Sequence, residues 1–251
     1  MIHNCSSLRR LSSHNLVFTS VRRNLIQMGY SRDHIFMAVQ AVLYMSCATA
    51  AFIALIPIGV VKASFRDHCM LYGEVTFTST GSFAVSSWGR DSTCSYICWI
   101  NALVLIAGVF FGAYFIAMCC TGREAFGLEA ACCAPFPIQI IVHIVFTFLT
   151  FLAACLSSAG LRHLCASIKI QSQDTYQCGQ MAGVSWADPY VHDTHGEFYD
   201  FLHSSKTACW FVFVTVLFNL MIYLARWYWE KLQHAINAEH HPIIHDTTTA
   251  L

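Results

Sequence analysis

The chain has 251 residues, of which 56% are hydrophobic and 11% charged, and its formal net charge is zero. A soluble domain carries about 25% charged residues, so this composition excludes an ordinary water-soluble globule. Charge neutrality also excludes a general attraction to nucleic acid.

The charge deficit is concentrated in four places. No Asp, Glu, Lys or Arg occurs between Asp33 and Lys62, between Asp91 and Arg123, between Glu129 and Arg162, or between Lys206 and Arg226. A hydrocarbon core of about 30 Å is crossed by about 20 apolar residues. Spans are therefore expected at 36–61, 96–120, 136–160 and 207–225. Backbone groups in lipid are satisfied only by helices or closed barrels. An all-α four-helix transmembrane bundle follows, with a membrane domain over 36–225.

In chain order, residues 1–35 form a basic arm with Arg9, Arg10, Arg22, Arg23 and Arg32. It lacks the form of a cleavable signal peptide, and the first apolar run is too long for an h-region. That run is expected to act as an uncleaved signal-anchor. Loop 62–95 follows. Val75, Phe77, Phe83 and Val85 alternate with Thr and Ser on either side of Ser79-Thr80-Gly81-Ser82, a short β-hairpin pattern. Trp88 is expected on the hairpin face or at the membrane interface. Span two carries Gly108 and Gly112, small residues four apart that let helices approach closely, either within the bundle or against a partner. The loop 121–135 is flanked by Cys119, Cys120, Cys132 and Cys133. Juxtamembrane cysteines are candidate palmitoylation sites; packing is the plainer reading. Loop 161–206 is acidic, and Phe198, Phe201 and Leu202 at helical spacing predict that the fourth helix starts above the membrane. A polar tail covers 226–251.

Positively charged residues gather on the cytosolic side. The bias here is slight and rests on the arm. Cysteines point the same way: Cys69 and Cys94 lie in one loop and Cys165 and Cys178 in the other. Pairs in loops facing an oxidising compartment read as disulfides. Three connectivities are possible. Cys69–Cys94 with Cys165–Cys178 is favoured, because each bond closes a loop locally. A disulfide-braced ectodomain with both termini cytosolic is expected, on the secretory route to the plasma membrane or an endomembrane. The sequon Asn4-Cys5-Ser6 would then never meet the glycosylation machinery.

Aromatic residues Tyr96, Trp99, Trp210, Trp227, Tyr228 and Trp229 stand at span ends, where interfacial belts belong. Strongly polar span residues are few: Gln40, Asn101, His143 and Asn219. An ionisable group inside a membrane is a functional hypothesis by default. His143 has no acidic or second histidine companion in any span, so the relay reading competes with hydrogen-bonded packing across the bundle by Gln40, His143 and Asn219. His192, Asp193, His195, Glu197 and Asp200 invite a zinc reading, but their spacing on an irregular loop is weak, and no metal or other cofactor is expected. Enzyme motifs such as H-E-x-x-H, G-x-S-x-G and phosphate loops do not occur. The expectation is a non-catalytic interaction or accessory subunit whose outer loops meet a membrane-protein partner. A small transporter or channel component using His143 is the alternative.

Several of these residues carry a resemblance. The run from Asp67 through His68, Cys69, Met70, Leu71, Tyr72 and Gly73 to Glu74 is followed by Trp88-Gly89 and Cys94. Cys165 follows span three, then Cys178, then Glu197-Phe198-Tyr199-Asp200 leads into span four, and Ile56-Pro57 lies near the end of span one. Together these resemble the transmembrane protein 179 family, over roughly residues 34–230. The resemblance implies a four-pass membrane protein and supplies no catalytic residue. Two departures stand out: the basic arm precedes the region that resembles the family, making Met28 a possible start, and the outer loops hold no sequon. Claudin-like four-pass proteins are the second resemblance, but their Gly-Leu-Trp-x-x-Cys order is missing. Tetraspanins fit less well, for want of Cys-Cys-Gly in the second outer loop.

Overall fold

A computed structural model describes residues 6–78, 82–121, 136–172, 178 and 198–240. Helix α1 covers Ser6–Ser64, strands β1 and β2 cover Cys69–Phe77 and Phe83–Gly89, and helices α2, α3 and α4 cover Asp91–Thr121, Phe136–Gln171 and Phe198–His240. Each helix contains a stretch long and apolar enough to cross a membrane: Ile35–Ser64, Asp91–Cys120, Ile138–Gln171 and Phe198–Gln233. The chain is a multi-pass membrane protein built as a four-helix bundle with a two-stranded hairpin at one end.

Helix α1 packs on α2 and α4, and α4 packs on α3; α2 and α3 meet more sparsely. The pairing of α1 with α4 has a clear sequence basis. On α1 the buried residues Gln40, Tyr44, Cys47, Ala51, Ala54, Ile58 and Val61, continued by Phe65 just past its end, alternate spacings of 4 and 3. On α4 the buried series Phe198, Leu202, Ser205, Cys209, Val212, Val216, Asn219 and Tyr223 does the same. A 3.5-residue period winds helices into a left-handed pair. The two seams run antiparallel. Phe65 meets Phe198 edge-on at 6.4 Å, Ser205 Oγ donates to the Ala54 carbonyl at 2.6 Å, and the Tyr44 and Tyr223 hydroxyls lie 3.4 Å apart. Pro57 lies inside α1. A proline supplies no amide hydrogen to the preceding turn, and Ser205 bonds a carbonyl in that same turn.

The small residues of span two serve the bundle interior. A Cβ on Gly108 would lie 2.9 Å from the Tyr44 carbonyl oxygen and 3.0 Å from Ala48 Cβ, and one on Gly112 would lie 2.7 Å from Met45 Sδ. Close backbone approach of α2 to α1 is the packing role that such spacing provides. At the hairpin end Tyr96 O–H donates to the Leu149 carbonyl at 3.0 Å and Trp210 Nε1–H donates to Ser158 Oγ at 2.9 Å. These two aromatics therefore stitch α2 and α4 to α3.

The helices outrun the predicted spans. Residues 161–171, expected as loop, continue α3 as helix. Leu161, Leu164 and Ile168 remain buried there because β1 lies against them. Residues 91–95 likewise already belong to α2. From Ser6 onward the basic arm is helical and continuous with span one.

Candidate functional site

Two places combine built geometry with polar chemistry. The first is the cap at the hairpin end. Strand β1 pairs antiparallel with β2, with Val75 opposite Val85 and Phe77 opposite Phe83, as the alternation predicted. The turn residues 79–81 lie outside the described residues. The register is interrupted between Cys69 and Glu74, where Tyr72 has φ 65°. That left-handed backbone is costly for a residue with a Cβ. It lays the Tyr72 ring over α3, so close to Gly160 that a Cβ there would be 2.9 Å from the ring. Val75 N–H donates to Ser167 Oγ at 3.0 Å, which ties the strand edge to α3.

The base of the cap is fixed covalently. Disulfides join Cys69 to Cys94 and Cys165 to Cys178. Asp91, in the first turn of α2, accepts from the Cys69 amide at 2.9 Å, and its negative charge also suits the positive end of that helix. Trp88 packs within the cap. It stacks on His68 at 4.9 Å and meets Phe65 edge-on at 6.1 Å. Phe65, Phe83 and Phe198 are wholly buried, joining hairpin, α1 and α4 in one apolar core. On the outside of this frame, among the described residues, Phe77 at the end of β1 and Ile170, which is 74% exposed, in the last turn of α3 are large apolar side chains left exposed.

The second place is the end of the α1–α4 seam away from the cap, where the heptad positions turn polar. His143 on α3 is placed there, but its cross-bundle partner is Tyr44. Tyr44 Oη lies 2.7 Å from His143 Nε2, and His143 Nδ1 lies 2.8 Å from the Gln139 carbonyl. A carbonyl only accepts, so Nδ1 carries hydrogen. In the neutral ring Nε2 then accepts from the Tyr44 hydroxyl. Tyr223 donates in turn to Tyr44, and its ring lies 4.4 Å from the imidazole. The expected bonds of Gln40 and Asn219 across the bundle are not formed. Gln40 is buried with both amide atoms unpartnered. Asn219 uses Nδ2 on its own helix, at the Thr215 carbonyl, which leaves Oδ1 without a partner. Their spacing on the seam sets them one turn from Tyr44 and Tyr223, not level with His143. Asn101 reaches Cys209 Sγ at 3.6 Å while donating to its own helix at Ile97.

Sequence reasoning treated tyrosines only as interfacial anchors and so missed Tyr44 and Tyr223. Their signal was available: both sit at seam positions inside a span. The hydroxyl makes a specific prediction. Tyr44→Phe is expected to lower the thermal unfolding midpoint in detergent, at a cost of about 0.6–2 kcal/mol typical of an interhelical hydrogen bond in a membrane. In a cycle with His143→Ala the two losses should be less than additive; additive losses would mean that the bond contributes nothing.

The remaining expected sites fall as follows. Cys119 is half-buried and Cys120 exposed at the end of α2; Cys132 and Cys133 lie outside the described residues. So do His192, Asp193, His195 and Glu197. No cluster of potential metal ligands occurs among the described residues.

Comparison with known proteins places these features in context. The family profile described as "Transmembrane protein 179/179B Claudin domain" matches residues 36–250. The description joins the two groups that the sequence resembles. The chain is also similar to Transmembrane protein 179B of Danio rerio, 25% identical over 178 residues that cover 69% of this chain and 76% of that protein. No solved structure matches it.

Proposed function

The chain belongs to the transmembrane protein 179/179B claudin-domain family, and from that premise we propose that it is a non-catalytic accessory or interaction subunit whose cap engages a membrane-protein partner. The observation that carries this reading is the cap itself. Two disulfides and an aromatic core hold it rigidly on the bundle, and it presents Phe77 and Ile170 outward. Exposed apolar residues on a preorganised frame lower the entropic cost of association. Affinity purification in mild detergent, followed by mass spectrometry, tests the proposal. A stoichiometric partner is expected, with recovery reduced at least about tenfold, or about 1.4 kcal/mol, by combining Phe77→Asp with Ile170→Asp. No reproducible partner, or one indifferent to both changes, would sink the reading.

The same proposal sets the cap on the lumenal or extracellular side, both termini in the cytosol and the protein on the secretory route. A glycan on Asn4 would reverse that topology. It also includes palmitoylation at Cys119, Cys120, Cys132 and Cys133, which acyl exchange on serine variants measures directly. A transport role is the second reading, favoured by the unpartnered amide of Gln40 one helical turn from Tyr44, whose hydroxyl meets His143 and Tyr223. A solute flux in proteoliposomes that His143→Ala abolishes would support it over the first.

A further inference from the structure

A groove of about 770 Å³ runs along the outside of the bundle between α1 and α4. The two helices are antiparallel and level at Ala54 and Ser205. Asp200 and His203 therefore mark the cap end of the groove, and Ser46 and Thr215 its far end. At 1.5 Å per residue, Thr207 to Thr215 covers about 12 Å. With the fourth span beginning at residue 207, that depth is close to half of a hydrocarbon core of about 30 Å. The groove thus matches one leaflet. A transmembrane helix crosses both, and half of its length would lie beyond the groove.

The chemistry of the walls is one-sided. Ser46, Thr49, Ser204 and Thr207 are exposed hydroxyl residues on the groove, and Asp200 is an exposed carboxylate at its mouth. The threonine hydrogens are already used. Thr49 donates to the Met45 carbonyl at 3.0 Å, Thr207 to the His203 carbonyl at 2.9 Å and Thr215 to the Phe211 carbonyl at 2.9 Å. Their oxygens, like an ionised carboxylate, can then only accept. Among the described residues no Lys or Arg lines the groove. Ala50 and Ala208 form its apolar floor.

An occupant must therefore bring hydrogens at its interfacial end, carry no anion and extend through one leaflet. A glycerophospholipid brings ester oxygens, which only accept, and a phosphate that would stand beside Asp200. A sterol or a diacylglycerol brings a single hydroxyl. A ceramide brings two hydroxyls and an amide N–H above its apolar chains. We propose that the groove is a binding site for ceramide, whose hydroxyls and amide donate to Asp200 and Thr207 while one chain lies over Ala50 and Ala208 toward Ser46 and Thr215.

Full-length protein is reconstituted in phosphatidylcholine vesicles with a photoreactive, clickable ceramide or with the diacylglycerol of matching chains. The ceramide probe is expected to crosslink to 46–53 and 204–215, and the diacylglycerol probe to label these segments about fivefold less. Thr207→Val keeps the shape and removes one acceptor. It should reduce ceramide labelling about fivefold, equivalent to about 1 kcal/mol for one hydrogen bond. Ala50→Leu obstructs the floor without touching an acceptor and should reduce labelling equally. Unfolding midpoints in detergent establish that both variants fold; should either fail, the contrast between the two probes on the unaltered chain decides. Equal labelling by both probes, labelling unchanged in either folded variant, or none on these segments would overturn the proposal. So would a photoreactive amino acid at position 53 that captures protein instead of lipid in cells, since a partner helix would then cover the groove. The outcome is independent of whether the cap recruits a partner.

Discussion

Gly89→Ala is expected to prevent closure of the cap, with the most severe clash of a Cβ among the described glycines. A Cβ at this position would overlap the Leu71 carbonyl oxygen and lie 2.9 Å from the Leu71 carbonyl carbon and 3.1 Å from the Cys69 carbonyl oxygen. All three are backbone atoms of the facing strand, so no side chain can rotate away. Gly89 is paired with Cys69, whose sulfur is bonded to Cys94 and whose amide is held by Asp91. Separating the strands enough to admit the methyl group would pull on both attachments at once. Overpacking in a core costs about 1–3 kcal/mol when side chains can adjust; here they cannot, and the cost should exceed that range. The measurements are the fraction of chains with an oxidised Cys69–Cys94 pair, by alkylation and gel shift, and protease resistance of the cap. Wild-type values for both would show that the close approach is not required.

This prediction also explains part of a sequence signature. Trp88-Gly89 is one of the features by which the chain resembles its family. The tryptophan covers Phe65 and His68, and the glycine admits the neighbouring backbone. Much of the cap was legible for the same kind of reason. Alternating Val75, Phe77, Phe83 and Val85 share one face of a hairpin, which is buried at Val75 and Phe83 and comes out at Phe77 on its end, and the cysteine placement allowed a local pairing that the structure forms. The bundle interior was harder to read. In a water-soluble helix the buried stripe stands out by its hydrophobicity. In lipid both faces are apolar, and the interior differs mainly by small or polar residues. Ala51, Ala54, Ser205 and Cys209 are therefore the informative positions on the α1–α4 seam, and hydropathy hides them. The 3.5-residue period running through Gln40 to Phe65 and Phe198 to Tyr223 was present in the sequence, and it brings Tyr44 and Tyr223 together. The extension of α3 to Gln171 was not legible, because Leu164 and Ile168 are buried in a core that includes a strand nearly a hundred residues earlier.

The two disulfides should prove unequal. In the chain-entropy account, closing loops with separations of 25 and 13 residues gives about 3.5 and about 3 kcal/mol respectively, a minor difference. Burial decides the matter. Cys69 and Cys94 are 0% and 3% exposed, within the core that includes Phe65, Phe83 and Phe198. Cys165 and Cys178 are only partly buried at its edge. Replacing Cys69 and Cys94 together by serine removes the crosslink and also puts two hydroxyls into an apolar core, each costing about 1–3 kcal/mol if unpaired. The cap should then open, and the steady-state amount of protein should fall several-fold through quality control, as losses of about 1–2 kcal/mol already change abundance. Serine at Cys165 and Cys178 loosens the end of α3, where Ser172 and Ile168 still hold the chain, and most of the protein should persist. Immunoblotting of steady-state abundance compares the two double variants directly. Equal loss would mean that loop closure governs the stability of the cap. A greater loss from the Cys165 and Cys178 pair would mean that the cap is held together from α3, not from the hairpin base.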